Sequence, residues 1–341
     1  MADELARRGA ANVIKNHLRV RKNERVVLFH LGEWPALDLL REVLAEHGAQ
    51  VTEVDSSRWE RTPEAKFDAA IASALKGVSA SLYASPDGSG SSGTRAQRLI
   101  TLIDKAGQVR HLHVPKVSLR TLATSLRADP ALMASLNERL TAALSEASEI
   151  RVTSEAGTEL TVGISRNYPF VSGTGVPRPG AWEGVPAGAV WFFSREVSGH
   201  YVADRIAQGS VFAVDPRDLY RNPVHLEFNR TRLSDYRCDD DATLGALQEH
   251  LARDPNAGFV GFVCLSTNYL VRNELKLFAH DAMMHGLRIM LGYSNPQLTQ
   301  APLSASVWAT FHGRRHDITI DDQPLIAKGR FLSEWTEGIL P

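Results

Sequence analysis

The sequence predicts an α/β protein in two parts. A doubly wound, Rossmann-like parallel sheet is expected over residues 1–148, and a β-rich α+β domain over residues 149–341. Three observations predict this. Strand-like and helical runs alternate up to Glu149; paired, alternating strands take over beyond it; and 341 residues are enough for two domains.

In chain order, "DELARRGAANVIKNHL" has helical periodicity and "RVVLFH" is a short β-rich run. "PALDLLREVLAEHG" reads as a helix, with Pro35 in its first turn and Gly48 past its end. "AQVTEVD", "GVSASLYAS" and "VRHLHVP" read as strands, the last two separated by the helix "TRAQRLITLIDKAG". "DPALMASLNERLTAALSEA" opens with Asp129 as N-cap and Pro130 at the first helical position. Next, "IRVTSEAGTELTVGIS" is a hairpin around a Gly-containing turn. Gly- and Pro-rich β segments follow, interrupted by the helix "DATLGALQEHLARD". Near the end, Ile318 and Ile320 alternate with Thr319 and Asp321, a strand entering a hairpin.

Composition narrows the function classes. The 38 basic and 39 acidic residues give a formal charge of −1, so no global field favours nucleic acid or an anionic membrane. Asp3 and Glu4 stand where a secretory signal would be basic, and apolar runs such as "GFVGFVCL" are too short for a bilayer, so a soluble cytoplasmic protein is expected. Cys238 and Cys264 form no CxxC pair and read as reduced thiols, Cys264 in an apolar core run. The segment "SPDGSGSSGTR", with Gly88, Gly90 and Gly93, matches neither phosphate-loop spacing and reads as a mobile surface loop. No GxSxG elbow follows a strand, so nucleophilic serine catalysis has no support.

Three C-terminal segments carry a resemblance: "VPAGAVWFF" (Val185–Phe193), "NELKLFAHDAMMHGLRIMLGYSN" (Asn273–Asn295) and "SVWATFHGRRHDITIDDQPLI". In order and spacing they resemble the thermophilic leucyl-aminopeptidase (aminopeptidase T) family, whose relatives include 2,5-dihydroxypyridine ring-cleaving dioxygenases. The resemblance implies an aminopeptidase T-like fold, a homodimer, and a metal bound by carboxylates and imidazoles. Carried over position by position, the metal-ligand places fall on Ala189, Glu274, Arg288, Trp308 and Thr310. Of these only Glu274 is a donor that metals use; a methyl, a guanidinium and an indole are not ligands, and a cation at Arg288 repels an ion. The alignment needs about seven extra residues near "HDAMMHG", roughly two helical turns. On that reading Arg288 replaces the ion beside Glu274, and the two form a salt bridge.

The degenerate donor set implies no metal, no cofactor and no catalytic residue. Metal-less relatives bind peptides in the biosynthesis of ribosomally made, modified peptides, as in crocagin-type pathways. The expected function is therefore non-catalytic binding of an extended peptide, such as a biosynthetic precursor presented to tailoring enzymes. Trp182, Trp191, Trp308 and Phe311 are the candidate contact residues, with plain core packing as the alternative for each. By alternation one of Phe192 and Phe193 is core.

Two other readings stay open. A metal-dependent hydrolase or ring-cleaving dioxygenase could use a relocated site at His280, His285 or Glu274. Against this, His280 and His285 diverge by about 140° on a helix, and His312 and His316 lie about 13 Å apart on a continuous strand. A nucleotide-binding α/β protein is disfavoured by the missing phosphate loop.

Overall fold

The computed structural model describes residues 2–57, 59–86 and 93–340, so the core of the Gly/Ser segment, residues 87–92, lies outside the described residues. The chain divides into two compact units. The first comprises 1–131 and 174–187, the second 132–173 and 188–341.

The first unit is built on a five-stranded parallel sheet in the order Gln50–Asp55, Arg25–His30, Ala80–Pro86, Arg110–Val117, Trp182–Gly184. The four expected strands are all present. Central strands buried on both faces read as apolar runs, and five of six residues in Arg25–His30 are buried. Helix Pro35–Glu46 starts at Pro35 and buries Leu37, Leu40 and Leu44, spaced three and four apart. Gly48 beyond it has φ +75°, the left-handed conformation that a helix end favours and a Cβ opposes. Val27, Phe29, Phe67, Ile71, Leu99 and Ile103 form one side of this core.

The division departs from the single cut expected at 148/149 in two places. Helix Pro130–Glu146 spans the boundary at 131, and its Leu140 and Leu144 join the core of the second unit. Strand Trp182–Gly184 returns to the first unit, pairing parallel to His111–His113. Three residues carry no period that sequence patterning can read, so only the long-range pairing reveals that strand.

The second unit contains two antiparallel sheets. The eight-stranded sheet runs Arg232–Arg237, Val224–Asn229, Val197–Ala203, Glu159–Gly163, Glu149–Thr153, Asp317–Ile320, Gln323–Ala327, Arg330–Phe331. The six-stranded sheet runs Ile206–Gly209, Ser304–His312, Leu287–Tyr293, Val260–Ser266, Ala189–Phe192, Val171–Gly173. The expected hairpin pairs Glu149 with Gly163, and the final one pairs Ile318 with Ile326.

One core draws on both sheets: Ile150, Val152, Leu160, Tyr201 and Ile318 from the larger, Phe192, Val263, Ile289 and Phe311 from the smaller. The chain crosses between the sheets at Asp204–Arg205 and again at Gly313–His316. These two crossings place the site.

Candidate functional site

The two crossings are stitched to each other. Arg205 N–H donates to the His312 carbonyl at 3.0 Å, and Arg314 N–H to Asp204 Oδ1 at 2.7 Å. Gly313 N–H donates to the buried Tyr201 hydroxyl at 2.9 Å, and Arg205 Nη1 donates to the Gly313 carbonyl at 2.8 Å. Two guanidiniums are thereby fixed at one end of the six-stranded sheet.

Glu274 meets both. It lies in the loop between strand Val260–Ser266 and helix Phe278–Asp281. Arg314 grips it with both arms of its fork, Nε to Oε1 at 2.6 Å and Nη2 to Oε2 at 2.7 Å, while Arg205 Nε reaches Oε1 at 3.2 Å. Burial would raise the Glu274 carboxyl, but Arg314 and Arg205 outweigh it and hold it below its usual range. Arg205, with 4% of its side chain exposed, is pulled down by burial against the support of Glu274. Arg314 also donates to the Asp204 carbonyl and stacks over the Tyr220 ring at 4.8 Å.

The expected Glu274–Arg288 salt bridge is therefore replaced by a different one. Arg288 stands in mid-sheet, directly opposite Cys264 on one side and His312 on the other. Its Nη2 donates to Cys264 Sγ at 3.3 Å, and its Nε is buried without a partner. The segment "HDAMMHG" does not supply the two helical turns that the alignment required: the helix there, Phe278–Asp281, is four residues long.

The other carried-over positions do not gather round Glu274. Ala189 and Thr310 are buried, Thr310 Oγ1 donating to the Ile289 carbonyl at 3.2 Å. Trp308 lies four residues before His312 on one strand, about 13 Å along it. The residues do not fit a metal: one carboxylate remains, its oxygens already held by two cations, and its companions are not donors. Among the described residues, no group of three or more His, Cys, Asp or Glu could hold an ion.

His312 and His316 are not on a continuous strand, because the strand ends at His312 and the chain turns through Gly313–Arg315. Their ring centroids are 6.2 Å apart. Both are fully buried and neutral. Burial first, then nearby Arg205, lowers His312 well below its ordinary value and His316 to about 3. His316 Nδ1 accepts from Leu287 N–H at 3.2 Å, and Arg205 Nη1 lies 3.3 Å from His312 Nε2. Gly286 backs onto the pair at φ +144°; a Cβ there would stand 2.9 Å from His312 Nε2 and 3.0 Å from His316 Nδ1. Elsewhere, His280 Nε2 bonds the Asn273 carbonyl at 3.0 Å. His285 falls beyond the helix and packs on Phe331 at 4.8 Å, its Nε2 unpartnered.

The aromatic candidates separate. Phe311 is fully buried in the core and presents no surface to a ligand. Alternation explains this, since its neighbours Thr310 and His312 face the opposite side of the sheet. Phe192 is likewise the core member of its pair, and Phe193 packs on Tyr168 at 4.8 Å. Trp191 and Trp308 are half-buried on the face away from the core, which they share with Phe262 and Met290; Trp191 and Phe262 rings are 4.9 Å apart. Trp182, 41% exposed, belongs to the first unit, on the last strand of the parallel sheet.

Beside Glu274 the second unit opens into a cavity of about 780 Å³, lined among others by Arg205, Glu274, His285 and Arg314. Sequence reading missed Arg205 and Arg314. The available signal was local: "ADRI" and "HGRRHD" put charge into short breaks between β-rich runs.

Comparison with known proteins agrees with this architecture. Wild-type AmpT from Thermus thermophilus superimposes with a TM-score of 0.67 at 16% identity, over 96% of this chain and 99% of that one. The chain has the aminopeptidase T fold. The 2,5-dihydroxypyridine dioxygenase from Pseudomonas putida KT2440 shares it, with a TM-score of 0.63 at 14% identity over 99% of both chains. A family model described as NicX, 2,5-dihydroxypyridine 5,6-dioxygenase, matches residues 119–259. That span includes the first resembling segment and ends before the other two. No curated protein matches the sequence. The resemblance read from the C-terminal segments thus holds at the level of fold.

Proposed function

We propose that this chain is a non-catalytic peptide-binding protein on the aminopeptidase T fold. Its biological role would be to present a precursor peptide to tailoring enzymes in ribosomal peptide natural-product biosynthesis. The observation that carries the reading is the state of Glu274. The one carboxylate left at a carried-over ligand position is clamped by Arg314 and Arg205. Two fixed guanidiniums satisfy its charge and oppose a cation in the same place.

The binding surface we assign is the outer face of the six-stranded sheet, where Trp191, Phe262, Met290 and Trp308 are half-buried. Indole and thioether groups give large, adaptable contact area to an extended chain. Trp182 is kept as a separate candidate on the first unit. No described helix is long and apolar enough to cross a membrane.

The test pairs turnover with binding. Leucine p-nitroanilide is offered with Zn²⁺, Co²⁺ or Mn²⁺, and 2,5-dihydroxypyridine with Fe²⁺ and oxygen. The expected result is no turnover, with saturable quenching of tryptophan fluorescence by peptides. Turnover that Glu274→Gln abolishes would overturn the reading.

A further inference from the structure

The cavity beside Glu274 has a charge imbalance that the rest of the chain does not share. A protein of formal charge −1 lines this one space with six cations: Arg205, Arg272, Arg314, Arg315, Lys328 and Arg330. Three acids face them, Glu155, Asp204 and Glu274, and all three are engaged. Glu274 and Asp204 pair with Arg314, and Glu155 lies 3.8 Å from Lys328. Arg272, Arg315 and Arg330 are exposed, and among the described residues no carboxylate stands within ion-pair distance of them. His285, also on the wall, is kept neutral by burial first and then by Arg272, Arg205 and Arg330, its pKa lowered to about 4. Burial is the larger cause, and the three guanidiniums add to it in the same direction.

We propose that this cavity binds the carboxylates of an acidic peptide segment. The inference rests on the peptide-binding reading and deepens it by naming the ligand's charge. The three free forks come from separate parts of the chain: Arg272 from the loop before Glu274, Arg315 from the crossing after His312, and Arg330 from the last strand. Sites for a phosphate gather several donors on one point, often at a helix N-terminus or a backbone nest. Forks offered one per element suit carboxylates spaced along a chain, each able to take two parallel N–H···O bonds. At 780 Å³ the cavity has room for several residues' side chains. Tyr220, 67% exposed at the rim and stacked under Arg314, adds a flat apolar contact for the same chain.

The test is fluorescence anisotropy of fluorescein-labelled hexaglutamate on the full-length protein at low salt. Hexalysine and an uncharged Ala/Phe peptide carrying the same label serve as comparisons, and citrate and inorganic phosphate as competitors. Hexaglutamate is expected to bind more tightly than hexalysine, and to weaken as salt screens the cavity. The triple variant Arg272→Gln/Arg315→Gln/Arg330→Gln should lose roughly tenfold or more in affinity, with an unchanged circular dichroism spectrum. Citrate should compete better than phosphate, and far less well than unlabelled hexaglutamate.

Equal binding of hexaglutamate to wild type and triple variant would overturn the assignment, as would a preference for hexalysine. Stronger competition by phosphate would overturn the choice of carboxylate, and citrate matching unlabelled hexaglutamate would make the ligand a small acid rather than a peptide. If the uncharged peptide binds and hexaglutamate does not, the cavity inference fails while the peptide-binding reading stands. If neither binds, both fail.

Discussion

Truncating Glu274 to alanine strands two guanidiniums, and the cost follows from their surroundings. Arg205 has 4% of its side chain exposed, Arg314 16% and Glu274 itself 24%. Opposite charges about 4 Å apart attract by about 4 kcal/mol at an effective dielectric of 20. Part of this offsets desolvation, and Arg205 keeps the Gly313 carbonyl after the carboxylate is gone. A net loss of ~3 kcal/mol is therefore expected, near the lower end for breaking a buried pair and above the ~1 kcal/mol of an exposed one. A double-mutant cycle apportions it. Glu274 with Arg314, joined by two bonds, should couple by ~2 kcal/mol, and Glu274 with Arg205, joined by one longer bond, by ~1 kcal/mol.

Urea titration followed by tryptophan fluorescence reads these values as midpoint shifts at constant slope. The pH dependence supplies a second signature. Because the folded carboxyl is held below its ordinary 4.5, its contribution is complete above that value and is lost as pH falls through the lower folded one. The gap between wild type and Glu274→Gln should accordingly close in acid. A loss under ~0.5 kcal/mol would place Glu274 in solvent-screened surroundings and refute the argument, as would stronger coupling to Arg288 than to Arg314.

The remaining predictions use the same measurement. Asp281 is raised to about 6, first by burial, with Glu274 adding to it; stability from its protonated form is full below its ordinary 3.8 and lost as pH rises through 6. Asp281→Asn should therefore stabilise at pH 7.5 by ~1–3 kcal/mol and lose that advantage at pH 4. His285 and His316 are lowered to about 4 and about 3, mainly by burial, so stability falls as pH drops from 6.5 toward those values, and His316→Gln should flatten that part of the curve. Gly286→Ala should cost ~2 kcal/mol or more, combining a positive-φ backbone with a Cβ pressed against two imidazoles. Phe311→Ala should cost ~3–5 kcal/mol, whereas Trp308→Ala should cost less in stability but more than ~1 kcal/mol in peptide affinity.

Much of the fold was legible because local chemistry settles it. Pro35 and Pro130 mark the helix starts they occupy, and the alternation of Ile318 and Ile320 puts both in the core. Alternation also separates Phe311 from Trp308 and Thr310, and applying it there would have removed Phe311 from the contact residues. What stayed hidden is non-local. Strand Trp182–Gly184 is defined by its pairing with His111–His113 across some seventy residues of chain. The His312–His316 approach depends on where the strand stops.

The site shows the same division. That Ala189, Arg288, Trp308 and Thr310 offer a metal no usual ligand is plain from the sequence, once the resemblance has singled those positions out. The partner of Glu274 could not be read the same way, because two sheet crossings distant in sequence deliver it. Arg288, the nearer choice in sequence, is held in mid-sheet between Cys264 and His312. The expected Arg288 partner is wrong, and the topology supplies Arg314 and Arg205 instead.

The central claim is that Arg314 and Arg205 hold the Glu274 carboxylate and leave it nothing to offer a metal ion. Elemental analysis of the purified protein after dialysis and incubation with excess Zn²⁺ or Fe²⁺, with gel filtration to remove unbound ion, tests it most directly. The account predicts metal well below stoichiometric in wild type, and no increase on adding either ion. One ion bound per chain, lost in Glu274→Gln, would contradict it.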